Sequence, residues 1–162
     1  MKREAIFDMD GTLFDTAKFY VKAWTETANF FGVEYFDKVV EKVVERAEQD
    51  LELLLGAKEI LEYFSGQNVL MVVASSSPRW AVEKNLRQAG IRDYFTALVG
   101  GDDILQGKPA PDIFLKSAKE VNLSPNDCYV FEDSFNGIRV AYSASCVPVM
   151  IPNQREPTEE SS

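Results

Sequence analysis

Apolar residues in this chain fall into short unbroken runs, separated by longer stretches in which they recur every three or four positions. The runs are AIFD at 5 to 8, NVLMVVAS at 68 to 75, TALVG at 96 to 100, CYVFED at 128 to 133 and CVPVMI at 146 to 151. Rich in β-branched and aromatic residues and too short for helices, they predict five strands. Helical periods lie between them: AKEILEYF after Gly56, RWAVEKNLRQA between Pro78 and Gly90, Asp112 to Val121, and Phe135 to Ala144. Strands apolar throughout, alternating with helices, predict an α/β domain: a doubly wound parallel sheet, Rossmann-like, with helices on both faces.

The interval after the first run departs from this rhythm. Residues 17–31 and 37–55 show two successive helical periods, and in the second Val40, Val43, Val44, Ala47, Leu51 and Leu54 gather on one face. The expected organisation is a core of residues 1–15 and 57–152, a small helical cap inserted at 16–56, and a polar tail at 153–162. The same two helices could instead be extra packing helices of the core. The acidic, proline-punctuated end, PNQREPTEESS, is expected to fray.

Composition narrows the partners. The chain has 162 residues, 46% hydrophobic, enough for one core and too few for two ordinary domains. Seventeen Lys and Arg against 26 Asp and Glu give a net charge of −9 with no basic cluster, which disfavours nucleic acid and anionic membranes. An anionic metabolite could bind only where a lysine or a metal ion locally overrides that field. The window in MKREAIFD is too short for a signal-peptide core and VLMVVA (69–74) too short to span a bilayer, so a soluble, cytoplasmic protein is expected. Cys128 and Cys146, near the starts of hydrophobic runs, are expected to be free, buried thiols.

In an open parallel sheet ligands bind beyond the carboxyl ends of the strands, and the distinctive polar residues fall there. Asp8 ends the first strand, Ser75 the second, Lys108 follows the third, and Glu132 and Asp133 end the fourth. Singly, each is an ordinary cap or turn residue; all at corresponding places in successive units point to a site. The chain has no histidine, which removes a Ser-His-Asp triad, a Cys-His pair and His-ligated zinc. A calcium loop fails too, because Gly11 comes fourth from Asp8 rather than sixth and Phe19 stands twelfth. What survives is carboxylate chemistry with Mg²⁺. Asp8 could attack phosphorus directly, a Mg²⁺ between Asp8 and Asp133 offsetting the repulsion, with Lys108 and Ser75 on the other oxygens. Asp10, two residues on, would in extended backbone project to the same side and handle protons as acid and base. Gly11 would let the chain turn sharply.

These residues resemble the haloacid dehalogenase superfamily. FDMDGTLFD at 7–15 is similar to its first motif, VVASSS at 72–77 to its second, GKPAPDIF at 107–114 to its third and VFEDSFNGI at 130–138 to its fourth. Within it the wording is most similar to the β-phosphoglucomutase-like phosphatases, whose helical cap follows the first motif. The resemblance implies a nucleophile at Asp8, an acid/base at Asp10, and phosphate binders at Ser75, Ser76 and Lys108. It also implies Mg²⁺ held by Asp8, the Asp10 carbonyl and Asp133, with Glu132 beside it. Asp10 and the Glu132/Asp133 pair favour phosphoryl transfer over dehalogenation.

The resemblance has departures. The segment 16–56 has room for only two long helices, the chain stops soon after the fifth strand where relatives commonly add a helix, and the mutases carry a histidine where this chain has Tyr20. A short cap favours hydrolysis, since a mutase must shield its phosphoenzyme from water. The expected activity is therefore hydrolysis of small phosphomonoesters such as sugar phosphates through an aspartyl phosphate, by a monomer or a homodimer. A sugar phosphomutase and an inactive binding or scaffold protein are the alternatives. Met9, Phe14, Phe19, Tyr20 and Trp24 could line a substrate pocket or pack cap against core, and Arg79 could touch substrate or be a solvated side chain.

Overall fold

The computed structural model describes residues 4–16 and 51–152. The expected frayed tail, most of the cap segment, and Phe19, Tyr20 and Trp24 lie outside the described residues. Five strands form one parallel sheet: β1 (Glu4–Asp8), β2 (Leu70–Ala74), β3 (Ala97–Val99), β4 (Cys128–Glu132) and β5 (Val147–Met150), in the order β3-β2-β1-β4-β5. Four described helices make the crossovers: α1 (Ala57–Gly66), α2 (Arg79–Gln88), α3 (Asp112–Glu120) and α4 (Phe135–Ser143). Every strand and each of these helices falls where the hydrophobic pattern predicts it, to within a residue or two at the ends.

Alternation along the strands divides the interior into two cores. Phe7, Met71, Val73 and Phe131 face α1 and α2, meeting Leu61, Val82 and Leu86. Ile6, Val72, Ala74 and Val130 face α3 and α4, meeting Ile113, Phe114, Val140 and Ala141. Phe7 is the hub of the first core: its ring stacks on Phe131 at 4.8 Å and meets Phe64 and Phe95 edge-on at 6.3 and 6.1 Å. Truncating so buried a ring to alanine costs about 3–5 kcal/mol. Cys128 and Cys146 are buried thiols not joined in a disulfide, as expected. Among the described residues no helix is long and apolar enough to cross a membrane.

One expectation fails where the chain returns to the core. The helical period of 37–55 should carry Leu51 and Leu54 on a helix face, but residues 51–55 are not helical. Leu53 forms an antiparallel bridge with Phe14, Asp15 N donates to Glu52 O at 3.1 Å, and Leu54 N donates to Leu13 O at 2.8 Å. Leu51, Leu53 and Leu54 pack against the first core, so core contacts resume before residue 57. Pairing with residues 13–15 satisfies backbone groups that a last helical turn would have left to solvent, and local periodicity cannot report such non-local pairing.

Candidate active site

Strand order reverses between β1 and β4, and the ends of those two strands place the first two acids. Phe7 and Phe131 are partners in the β1–β4 register, so the next residues, Asp8 and Glu132, lie side by side on the opposite face. Asp8 and Glu132 are buried, and a carboxylate oxygen of each lies within 4.8 Å of one on Asp133. Lys108, from the loop after β3, donates to Asp8 Oδ1 at 3.1 Å and to Glu132 Oε1. Its ammonium also lies 5.2 Å from the centre of the Phe114 ring. Glu132 Oε2 accepts from Ser134 Oγ at 3.0 Å and from Ser134 N at 3.3 Å, so both its oxygens are engaged. Ser134 in turn caps α4, accepting from Gly137 N at 3.0 Å.

The backbone after β1 turns at once. Leu13 N donates to Met9 O at 3.0 Å, Gly11 N donates to Phe14 O at 2.9 Å, and Gly11 has φ of +79°. A Cβ on Gly11 would stand 2.1 Å from Asp133 Oδ2, so glycine serves both the turn and the approach of that carboxylate. Asp10 therefore does not continue the strand, and the extended-backbone argument for its direction is corrected: β1 ends at Asp8 because the turn begins there. Asp10 nevertheless stays close enough for its charge to act on Asp8. Ser75 follows Ala74, the register partner of Asp8; it is buried, and its Oγ accepts from Ser77 N at 3.1 Å. Ser76 stands exposed in the same loop.

Burial governs the titration of this cluster. It raises Asp8 well above the ordinary carboxylate range; Lys108 opposes that rise while Glu132 and Asp10 add to it. Burial also raises Asp10, opposed by a hydrogen bond from Thr16 and assisted by Asp133. For Lys108 burial acts downward, but the charges of Asp8 and Glu132 outweigh it and the ammonium is held above its usual value.

A family model of haloacid dehalogenase-like hydrolases matches residues 32–144. The chain belongs to this family. Among relatives of this hydrolase, fructose-1-phosphate phosphatase YqaB of Escherichia coli is 30% identical over 86% of this chain and 90% of its own. The phosphorylated carbohydrates phosphatase of Thermotoga maritima is 28% identical over 86% of this chain and 80% of its own. The crystal structure of a candidate β-phosphoglucomutase from Thermotoga maritima superimposes with a TM-score of 0.85 at 26% identity, covering 98% of this chain and 89% of that one. The match of fold agrees with the Rossmann-like core expected of the family.

The fold of this hydrolase brings Asp8, Asp10, Lys108, Glu132 and Asp133 into one cluster, with Ser75 and Ser76 on the neighbouring loop. It does not give Met9 or Phe14 a pocket: they are 1% and 0% exposed and belong to the first core. Four neighbours of the site went unread in the sequence. Thr16 bonds Asp10, Phe114 lies under Lys108, Ser134 bonds Glu132, and a Cβ on Gly137 would overlap the Glu132 carboxylate. Only the last two carry a sequence signal, a serine N-cap three residues ahead of a glycine in the motif EDSFNG.

Proposed function

We propose that this chain is a Mg²⁺-dependent phosphatase of small phosphorylated metabolites, sugar phosphates foremost, acting through an aspartyl phosphate on Asp8. The observation that carries this reading is the Lys108 ammonium 3.1 Å from a buried aspartate at the end of β1. In a chain of net charge −9 it is the local cation that an anionic substrate requires. The names of the E. coli and T. maritima relatives support the substrate class.

The donor set suits a hard divalent ion. Three carboxylates offer oxygens within 4.8 Å of one another, and the glycine at position 11 leaves room for Asp133. Asp8 and Asp133 would hold Mg²⁺, with the Asp10 carbonyl, and Glu132 would lie beside them, bonded to Lys108. When bound, Mg²⁺ supplies positive charge that offsets the repulsion between a carboxylate and a phosphomonoester.

In the first step an Asp8 oxygen bonds to phosphorus as the ester P–O bond breaks, and Asp10 gives its proton to the departing alkoxide. Burial, by raising Asp10, keeps that proton available at higher pH than an ordinary aspartate would. In the second step Asp10 takes a proton from water as its oxygen attacks phosphorus, breaking the bond to Asp8 and releasing inorganic phosphate. Lys108 and the hydroxyls of Ser75 and Ser76 orient the phosphoryl oxygens throughout.

The mutase alternative has in its favour the names attached to the T. maritima structure and to a Bacillus subtilis relative. Phosphate release from a panel of sugar phosphates, with Mg²⁺ and with chelator, separates the readings. Mg²⁺-dependent release is expected. Conversion of a hexose 1-phosphate to its 6-phosphate without free phosphate would replace hydrolysis by mutase chemistry, and phosphate binding without turnover would leave a binding protein.

A further inference from the structure

Two loops at the carboxyl edge of the sheet are fastened by a clasp that involves neither Asp8 nor Lys108. Helix α2 starts behind Pro78, which has no side-chain group to cap it. Its first amide, Arg79 N, donates instead to Asp102 Oδ1 at 2.8 Å, so the cap comes from the loop after β3. The Arg79 guanidinium closes the same junction: Nη1 donates to Leu98 O at 2.6 Å and to Asp103 Oδ2 at 3.0 Å. Asp103 Oδ2 also accepts from Gly100 N at 2.9 Å.

The backbones underneath touch. Gly101 N donates to Ser77 O at 2.8 Å and Ser75 N to Val99 O at 2.9 Å. A Cβ on Gly100 would stand 2.5 Å from Arg79 N, and one on Gly101 would stand 2.2 Å from Ser76 O. Two consecutive glycines thus allow the loop after β3 to lie directly on the Ser75–Ser77 loop. That same loop runs on to Lys108. An ion pair whose arginine is 50% exposed stabilises little by itself. What the clasp fixes is the spacing between two groups of side chains, because it joins the segments that carry them.

We infer that the Arg79–Asp102–Asp103 clasp is a positioning device for phosphate: it sets the separation between the Ser75 and Ser76 hydroxyls and the Lys108 ammonium. In this inference Arg79 acts through the two loops rather than on substrate; its half-exposed guanidinium is bonded to Leu98 O and Asp103. The inference rests on the phosphatase reading above, in which those three side chains hold the phosphoryl group. Misplacing such donors by about an ångström lowers rates by up to about a hundredfold.

The test compares Arg79→Ala and Asp103→Asn with Arg87→Ala, which removes another arginine of α2, paired with Glu83 at 2.6 Å. Three quantities are read: affinity for inorganic phosphate with Mg²⁺ by calorimetry, kcat/KM on several phosphomonoesters, and the thermal midpoint. Arg79→Ala is expected to weaken phosphate binding about tenfold and to lower kcat/KM at least as much, by the same factor for every ester. Asp103→Asn should follow it, the double variant should lose no more than the worse single one, and Arg87→Ala should match wild type. Should Arg79→Ala fail to fold, Arg79→Lys keeps the charge without the two-acceptor geometry and is expected to weaken phosphate binding several-fold.

Phosphate affinity and kcat/KM within about twofold of wild type would overturn the inference, since positioning effects are larger than that. So would a loss confined to particular esters with phosphate affinity unchanged, which would make Arg79 a substrate contact, or a fall in thermal midpoint alone. A folded wild type that neither binds phosphate nor hydrolyses any ester defeats the phosphatase reading and takes this inference with it. A competent wild type beside an indifferent Arg79→Ala defeats the clasp alone.

Discussion

Strand β1 carries a buried carboxylate at each end, and the two have opposite fates. Glu4 and Asp8 are 0% and 7% exposed and lie four residues apart on the same face of the sheet. At the amino end, Glu4 Oε2 accepts from the Cys128 thiol at 3.0 Å, while Oε1 has no hydrogen-bond partner among the described residues. At the carboxyl end, Asp8 meets an ammonium and stands among three further carboxyl groups. Burial raises both acids, so burial alone does not make a site. What differs is the neighbour: the charge of Lys108 opposes the rise of Asp8, while Glu4 is met by a thiol. Lys108 lies a hundred residues along the chain, and only the crossover through β3 brings it to β1.

Asp8→Asn against Glu4→Gln tests this contrast most severely. The first removes the nucleophile without changing shape and is expected to lower kcat for phosphate release by at least about a thousandfold. The second is expected to leave kcat unchanged. Similar losses from both, in proteins shown to be folded by circular dichroism, would mean that Asp8 matters to the scaffold rather than to the chemistry.

Lys108→Met asks what the ammonium does for the fold. It leaves Asp8 and Glu132 buried face to face with no cation, at an expected cost of about 3–5 kcal/mol in urea unfolding without added metal. A cost under about 1 kcal/mol would show that Asp8 already sheds its charge by protonation.

The sequence carried the carboxyl end of this comparison better than the amino end. Strands buried on both faces leave nearly continuous apolar runs, and an acid closing such a run stands out, as Asp8 and Glu132 do. Glu4 precedes its run, so it reads as a solvated flank, yet it lies inside β1 opposite Cys128. The bonds of Lys108 to Glu132 and of Arg79 to Asp103 join segments 24 residues apart, and no periodicity records them. Leu51 and Leu54 misled for the same reason: they keep helical spacing with Val44 and Ala47 while the backbone beneath them pairs with Leu13 and Phe14.

The amino end makes its own prediction through pH. Burial lifts Glu4 from 4.5 to about 7, against the pull of the Cys128 thiol. Between those values the folded protein binds more protons than the unfolded chain, so stability is fullest below about pH 4.5 and falls as pH rises toward 7. At about 1.4 kcal/mol per pH unit the loss attributable to Glu4 is about 3 kcal/mol. Glu4→Gln should remove that part of the slope and leave the part that Asp8 and Asp10 contribute. An unchanged pH profile of urea stability in Glu4→Gln would place the titration elsewhere.

Cys128 gives the smallest effect and the finest view of the amino end. Its thiol, pushed up chiefly by burial and next by Glu4, stays protonated and has two acceptors within reach, Glu4 Oε2 at 3.0 Å and Ser124 O at 3.3 Å. Cys128→Ser keeps a donor in place and should change stability by less than about 1 kcal/mol at any pH. Cys128→Val fills similar space but offers nothing to the carboxylate, so it should be nearly neutral at pH 5, where Glu4 carries its own proton. At pH 8 the charged group loses its donor, and the valine variant should then cost about 1–3 kcal/mol. The pH dependence of the difference between the two variants isolates the thiol from the cavity it fills. If valine is as benign as serine at pH 8, the sulfur packs as a hydrophobe, and Glu4 must be satisfied by some other group at the foot of β1.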